Sequence, residues 1–186
     1  MTHSSIVFWF GNLALVFVLS VVTLRSFTRA RRAARSSWED LVKRLQWIDP
    51  AKVEKIARDL IDEPVEAKGE PGKSGLDASK IREMIGGFDG LEILKNNSKA
   101  LIDLAAHLQR WYPEALKVAE ELRLDARELE WYIDRLRGAE KTGNLEISFP
   151  FYAQHAIAIY YRMGRELLTF CERTDPMMFA SLQKAI

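Results

Sequence analysis

A run of uncharged residues near the start of the chain, residues 6–24, constrains this protein more than any other feature. As an α-helix rising about 1.5 Å per residue, these nineteen residues span about 28 Å, close to the roughly 30 Å hydrocarbon thickness of a bilayer. A helix satisfies its own backbone polar groups and therefore crosses lipid as one segment. Phe8, Trp9 and Phe10 lie near one end, where the membrane interface favours aromatic rings. The run predicts a short outer tail and a single transmembrane helix within residues 1–24.

A basic juxtamembrane segment follows at residues 25–35 and sets the predicted orientation. The segment contains no acidic residue, and the five residues before the uncharged run contain no Lys or Arg. Because basic residues beside a membrane helix stay on the cytoplasmic side, we expect the N-terminus outside the plasma (inner) membrane and the rest of the chain in the cytoplasm. The same cations are candidates for contact with anionic lipid headgroups, at about 1 kcal/mol each. They are Arg25, Arg29, Arg31, Arg32 and Arg35.

Two other interpretations of the uncharged run are disfavoured. A cleaved signal peptide carries its positive charge before a shorter apolar core, whereas here the arginines follow a long one. A buried core helix of a soluble protein is expected to keep a polar face, which this run lacks. The lipid bilayer is therefore the first predicted partner.

Charge and cysteine content limit the function of the remaining 151 residues. Five of the 27 basic residues lie in the arginine segment and all 26 acidic residues follow it, so residues 36–186 carry 22 basic and 26 acidic side chains and a net charge of −4. Nucleic-acid binding needs a clustered basic face, and no nucleic-acid partner is predicted. The one cysteine, Cys171, excludes an intramolecular disulfide and is expected to be a buried apolar thiol.

Apolar residues at helical spacing predict that the rest of the chain is all-α, a cytoplasmic multi-helix bundle. Residues 36–61 form a predicted membrane-proximal helical pair, and residues 76–186 form the bundle domain. The segment between them, 62–75, has two prolines and three glycines and predicts a flexible linker.

Capping residues, prolines and glycines divide these regions into individual helices. Ser36 with Glu39 has the form of a capping box, and Asp49-Pro50 and Asp175-Pro176 each predict a helix start. Helices are expected at 37–48, 50–61, 78–85, 90–95, from Asn97 or Ser98 to 111, at 113–139, at 150–173 as the central helix, and from 176, with 145–149 extended.

Few residues form a pattern associated with catalysis or ligand binding. The sequence has no phosphate-binding loop, nucleophile elbow or zinc motif, and no cofactor or metal is predicted. Asp103 and His107 share a helix face at a spacing that suits a metal, an acid–base pair or an ordinary surface ion pair. His155 and Arg162 are the other pocket candidates, with Tyr152 and Tyr160 as possible neighbours between helices.

Three functional hypotheses remain open. The favoured one is a single-pass membrane protein, not an enzyme, whose helical bundle holds a protein partner at the cytoplasmic face. Trp131, on the strongly charged helix 113–139, is a candidate exposed interaction residue for that partner. The alternatives are a small-ligand sensor or enzyme with a pocket between helices, and an accessory subunit of a membrane complex.

Overall fold

A computed structural model of the chain describes Ser20, residues 36–61 and residues 76–186. Apart from Ser20, the predicted membrane helix lies outside the described residues, as do the basic segment 25–35 and the linker 62–75. Among the described helices, none combines the length and the hydropathy that a membrane crossing requires.

Seven helices and no strand make up the described part of the chain, which confirms the all-α prediction. They are α1 (Trp38–Val42), α2 (Pro50–Ile61), α3 (Ala78–Ile85), α4 (Gly87–Leu108), α5 (Ala115–Lys141), α6 (Leu145–Thr174) and α7 (Pro176–Gln183).

Helix α6 is the centre of the bundle, as its apolar sequence predicts. It contacts α2, α3, α4, α5 and α7, and it buries residues around most of its circumference. Thirty residues make it about 45 Å long. The fully buried ones include Phe149, Ala153, Ile157, Met163, Leu167 and Cys171.

Helices α5 and α6 form an antiparallel hairpin around the predicted break at 142–144. Gly143 takes the left-handed conformation with φ 75°, which only glycine adopts without strain. Helix α5 buries one stripe and exposes a charged face, as its periodicity predicts. Its first turn is the exception, because Ala115 is buried and Leu116, expected in the core, is 54% exposed.

Helix α4 corrects the prediction of two helices separated at Asn97 or Ser98. One helix runs through both residues, and both side chains are buried. Asn97 does not cap a helix; its amide pairs with the backbone of Gln46 from the loop after α1, at 2.8 Å in each direction. Ser98 donates to the carbonyl of Lys95 at 2.8 Å, within its own helix. A tertiary contact satisfies Asn97 and a bond within the helix satisfies Ser98, although both side chains resemble helix caps.

Helix α6 begins earlier than Pro150, contrary to the extended segment expected at 145–149. Pro150 lies in the second turn, where it removes the hydrogen bond to the carbonyl of Glu146 and costs the helix up to about 3 kcal/mol. Phe149 offsets this cost because it is fully buried and packs edge-on against Phe88 at 6.2 Å.

The predicted cap of α2 is confirmed, whereas the predicted cap of α1 is displaced by one residue. Ser37, not Ser36, caps α1 by accepting from the backbone N–H of Asp40 at 3.1 Å. Helix α1 has five residues instead of the twelve expected, because the chain turns at residue 43 toward the Asn97 amide. Asp49 accepts from the backbone of Ala51 as predicted and starts α2 at Pro50.

Candidate functional site

The most distinctive surface of the bundle is a group of five aromatic rings on the α5–α6 hairpin, which we call the aromatic patch. Its members lie at similar distances from the turn at 142–144, and an antiparallel hairpin brings such positions together. Trp131 and Tyr132 belong to α5, and Phe151, Tyr152 and His155 belong to α6.

The rings of the aromatic patch pack edge-on or tilted against each other, the arrangement that aromatic quadrupoles favour. Tyr152 contacts Trp131 at 6.1 Å and Tyr132 at 6.0 Å between ring centroids. His155 lies 5.0 Å from Tyr132 and 4.3 Å from Phe151. The Nδ1 atom of His155 is 2.7 Å from the carbonyl oxygen of Phe151, which fixes the imidazole. Contacts between neighbouring rings therefore hold the patch in one shape.

Much of the aromatic patch is accessible to solvent. Trp131 is 48% exposed, and the other four side chains are half-buried. The guanidinium of Arg135 lies 4.9 Å from the centroid of the Trp131 ring, close enough for a cation–π interaction. Leu124, 63% exposed, lies two turns earlier on the same side of α5 and extends the apolar surface.

A charged cluster borders the aromatic patch. Arg162 binds the carboxylate of Asp125 with two hydrogen bonds, at 3.1 and 2.7 Å, and lies 3.7 Å from Glu128. Burial, and then the charge of Glu128, raise the pKa of Tyr132. The Tyr132 hydroxyl therefore stays protonated at neutral pH and can donate a hydrogen bond.

Two carboxyl groups on facing helices share a hydrogen bond further along the same hairpin. Burial, the hydrogen bond that Glu166 donates to Glu121 and the nearby carboxylates raise the pKa of Glu166 to about 7. The same hydrogen bond lowers the pKa of Glu121. Glu166 therefore holds the shared proton near neutral pH.

Asp103 and His107, the predicted pair on α4, lie one turn apart and are both almost buried. Asp103 pairs with Arg44 at 3.1 Å, a residue brought from the loop after α1. The His107 ring lies 6.3 Å from that of Trp38, and its buried Nδ1 atom has no hydrogen-bond partner. The pair thus packs α1 against α4.

The four pocket candidates occupy three separate places in the bundle. Asp103 and His107 face α1, His155 belongs to the aromatic patch, and Arg162 is held by Asp125 on the outer face. Within the described residues, no group of three or more His, Cys, Asp or Glu side chains is arranged to hold a metal ion.

A groove of about 280 Å³ lies between α2, α6 and the C-terminal residues. It contains an acid and a base, Glu54 and Arg165, and the hydroxyl of Tyr161 donates to Glu54 at 3.4 Å. Its remaining lining is mainly apolar, with Ile48, Val53, Tyr160, Leu168 and Ile186. Of the residues predicted around a pocket, only Tyr160 lines this groove.

Cys171, on the core-facing side of α6, is buried as expected. Burial raises the pKa of its thiol to about 12, so the reactive thiolate is absent at neutral pH.

Sequence reasoning singled out Trp131 but missed the patch around it. The signal was present, because the break at 142–144 implies an antiparallel hairpin and so aligns residues near 132 with residues near 152.

No protein-family model, curated protein sequence or solved structure matches this chain.

Proposed function

We propose that the chain is a membrane-anchored interaction protein that holds a partner protein at the cytoplasmic face of the membrane, with the aromatic patch as the docking surface. The observation that carries the proposal is the patch itself, in which Trp131 stays 48% exposed beside four half-buried rings. An ordered, accessible aromatic cluster is unusual on a surface that binds nothing.

The chemistry of the patch suits a polypeptide partner. Trp, Tyr and Arg are the residues that contribute most to protein interfaces, and Trp131, Tyr132 and Arg135 provide all three side by side. The rim carries both signs of charge, which suits a protein surface better than a phosphate backbone. We expect the partner to insert an apolar side chain beside Trp131.

The proposal of a membrane anchor is based on the uncharged run 6–24 and on the five arginines that follow it in the sequence. Together they favour a single-pass helix with the bundle on the cytoplasmic side. The anchor keeps the docking surface close to the bilayer, where it raises the effective concentration of a partner that is itself at the membrane.

Photocrosslinking in intact membranes tests the docking surface. We would place benzoylphenylalanine at Trp131 in the full-length chain and identify the crosslinked proteins by mass spectrometry. Trp47 is the matched control, because it is an equally large residue, 75% exposed, in the loop between α1 and α2. A partner captured at 131 and absent at 47 supports the proposal, and equal yields at both positions refute it.

The same partner should bind more weakly when Trp131 is truncated. Trp131→Ala should lower its affinity about 30-fold or more, the effect of losing an interface hot spot, while Trp47→Ala leaves binding unchanged. A partner that is an integral membrane protein would favour the role of accessory subunit in a membrane complex.

The groove between α2 and α6 favours a second candidate function, the binding of a small ligand. Glu54, Tyr161 and Arg165 offer polar contacts beside apolar walls, the usual composition of a ligand site. A ligand of this groove should raise the melting temperature of the full-length chain and lose that effect in Arg165→Ala. Ligands that stabilise both chains equally would exclude this site.

A further inference from the structure

One end of the bundle, which we call the proximal end, gathers four chain segments. Helices α4 and α6 end there, and α5 and α7 begin there. The hydroxyl of Tyr112, between α4 and α5, donates to the carbonyl of Thr174 at 3.2 Å, and its ring lies 6.2 Å from Phe170. The α4–α5 loop and the end of α6 are therefore in direct contact.

The chain arriving from the arginine segment joins the bundle at this same end. Trp38 lies two residues after Ser36, where the described residues resume. Its indole N–H donates to the hydroxyl of Ser181 on α7 at 2.6 Å, and its ring lies beside His107 near the end of α4. These contacts place the start of α1 at the proximal end.

Three large apolar side chains are exposed at the proximal end, each from a different segment. Trp111 in the α4–α5 loop is 63% exposed, Leu116 in the first turn of α5 is 54% exposed, and Met177 in the first turn of α7 is 85% exposed. Isolated exposed apolar residues are ordinary. Three exposed apolar side chains at one end of the bundle, the end at which the chain arrives from its predicted anchor, indicate a shared role.

We propose that the proximal end rests on the bilayer, with Trp111, Leu116 and Met177 inserted among the lipid headgroups. The inference depends on the membrane anchor of the proposed function. Eleven residues, 25–35, separate the predicted span from the bundle, a distance of about 17 Å if helical and at most about 40 Å if extended. The opposite end lies about 45 Å further away along α6, so the tether favours contact through the proximal end.

The side chains at this end suit an interfacial contact. Tryptophan prefers the headgroup region, and Leu and Met supply apolar area beneath it. The guanidinium of Arg110 lies 5.6 Å from the Trp111 ring centroid and can reach phosphates while the indole is inserted. Exposed Glu114 and Lys117 flank Leu116 with opposite charges, so burial of apolar groups drives this contact and attraction to anionic lipid comes from the arginine segment.

A fluorescent reporter at the proximal end tests this contact in the full-length chain. We would attach the polarity-sensitive dye NBD to Met177→Cys and, as the control, to Ile147→Cys. Ile147 is an apolar residue, 71% exposed, in the first turn of α6 at the opposite end. Cys171 is fully buried, and the unsubstituted chain measures any labelling there. Leu116→Cys provides a second proximal position should the first variant fold poorly.

The chains would be reconstituted in vesicles of phosphatidylcholine and phosphatidylglycerol that contain doxyl-labelled lipid, a quencher of NBD. We expect blue-shifted emission and about twofold or stronger quenching at positions 177 and 116, and neither at 147. A chain that floats with the vesicles but is quenched equally at both ends overturns this inference and leaves the anchor intact. A chain that does not float overturns the anchor, and the inference with it.

Discussion

At the scale of single residues, Asn97 shows how one buried amide inside a continuous helix joins distant segments of the chain. It is 1% exposed, exchanges two hydrogen bonds with the backbone of Gln46 and donates a third to Tyr160 at 3.3 Å. The amide therefore links the loop after α1 to α4 and α6. The sequence suggests a cap at this position because its partners lie 51 and 63 residues away, beyond any local pattern.

Replacing Asn97 should destabilise the bundle. Asn97→Ala leaves the N–H and C=O of Gln46 and the hydroxyl of Tyr160 without their partner, a loss of about 2–3 kcal/mol in the free energy of unfolding. The neighbouring Asn96 is exposed, so Asn96→Ala is the matched control and should change stability little. Thermal unfolding of the full-length chain in detergent, followed by circular dichroism, compares the two. Equal melting temperatures would show that the Asn97 amide contributes nothing.

Glu166 should make stability depend on pH. Its pKa is raised to about 7 by burial and by Glu121 and Asp125 on α5, with Arg162 opposing them, against an ordinary value of 4.5. The folded chain therefore holds this proton to a higher pH than the unfolded chain, and the free energy of unfolding falls as pH rises from about 4.5 to about 7. Glu166→Gln should flatten this decline.

The measurement is the melting temperature against pH for the original chain, for Glu166→Gln and for Glu172→Gln. Glu172 is an exposed glutamate on the same helix and serves as the control. The three curves should converge near pH 4.5, with only Glu166→Gln more stable at pH 8. Parallel curves at every pH would mean that folding does not raise the pKa of Glu166.

At the scale of secondary-structure elements, the local sequence predicts where two helices begin, but it does not predict where a helix continues without a break. Asp49 and Asp175 cap α2 and α7 as predicted, because a cap bonds to residues two or three positions later. Pro150 and Ser98 do not start helices, although the sequence predicts that they do, because packing decides their effects. Phe149 packs against Phe88 and keeps Pro150 inside α6, and Ser98 lies on the buried face of α4. The aromatic patch could be predicted only together with the α5–α6 hairpin, because its residues come from both helices.

The junction of α3 and α4 depends on glycine. Gly86 ends α3 with φ 83°, and a Cβ added to Gly90 would lie 1.7 Å from the carbonyl oxygen of Ile85. Gly90→Ala should therefore force the two helices apart and cost at least about 3 kcal/mol of stability. Gly138, within α5, has open space around its Cβ position, so Gly138→Ala should stabilise by about 0.5–1 kcal/mol.

Chemical unfolding of both alanine variants checks this junction. The prediction is a lower midpoint for Gly90→Ala and a higher midpoint for Gly138→Ala. Two variants that shift in the same direction would show that the close approach at Gly90 does not limit the packing of α3 on α4.

At the scale of the whole molecule, composition and periodicity predicted the helical class and the central role of α6. They did not predict which surfaces stay open, because exposure depends on how the helices pack. Trp47 and Trp131 both lie near charged residues in the sequence, yet only Trp131 joins a cluster of rings. Two groups of exposed apolar side chains stand out on the described bundle, the aromatic patch and the proximal end. We propose that the first binds a partner protein and that the second contacts lipid.

The central claim is that the bundle is held at a membrane with its mass on the cytoplasmic side. Protease protection tests it most directly, with a C-terminal epitope on the full-length chain in sealed, right-side-out vesicles washed in alkaline carbonate. We predict that the unprocessed chain stays with the membrane and that external protease spares the epitope until detergent opens the vesicles. A chain released by the wash, or an epitope digested while the vesicles remain sealed, would contradict the account.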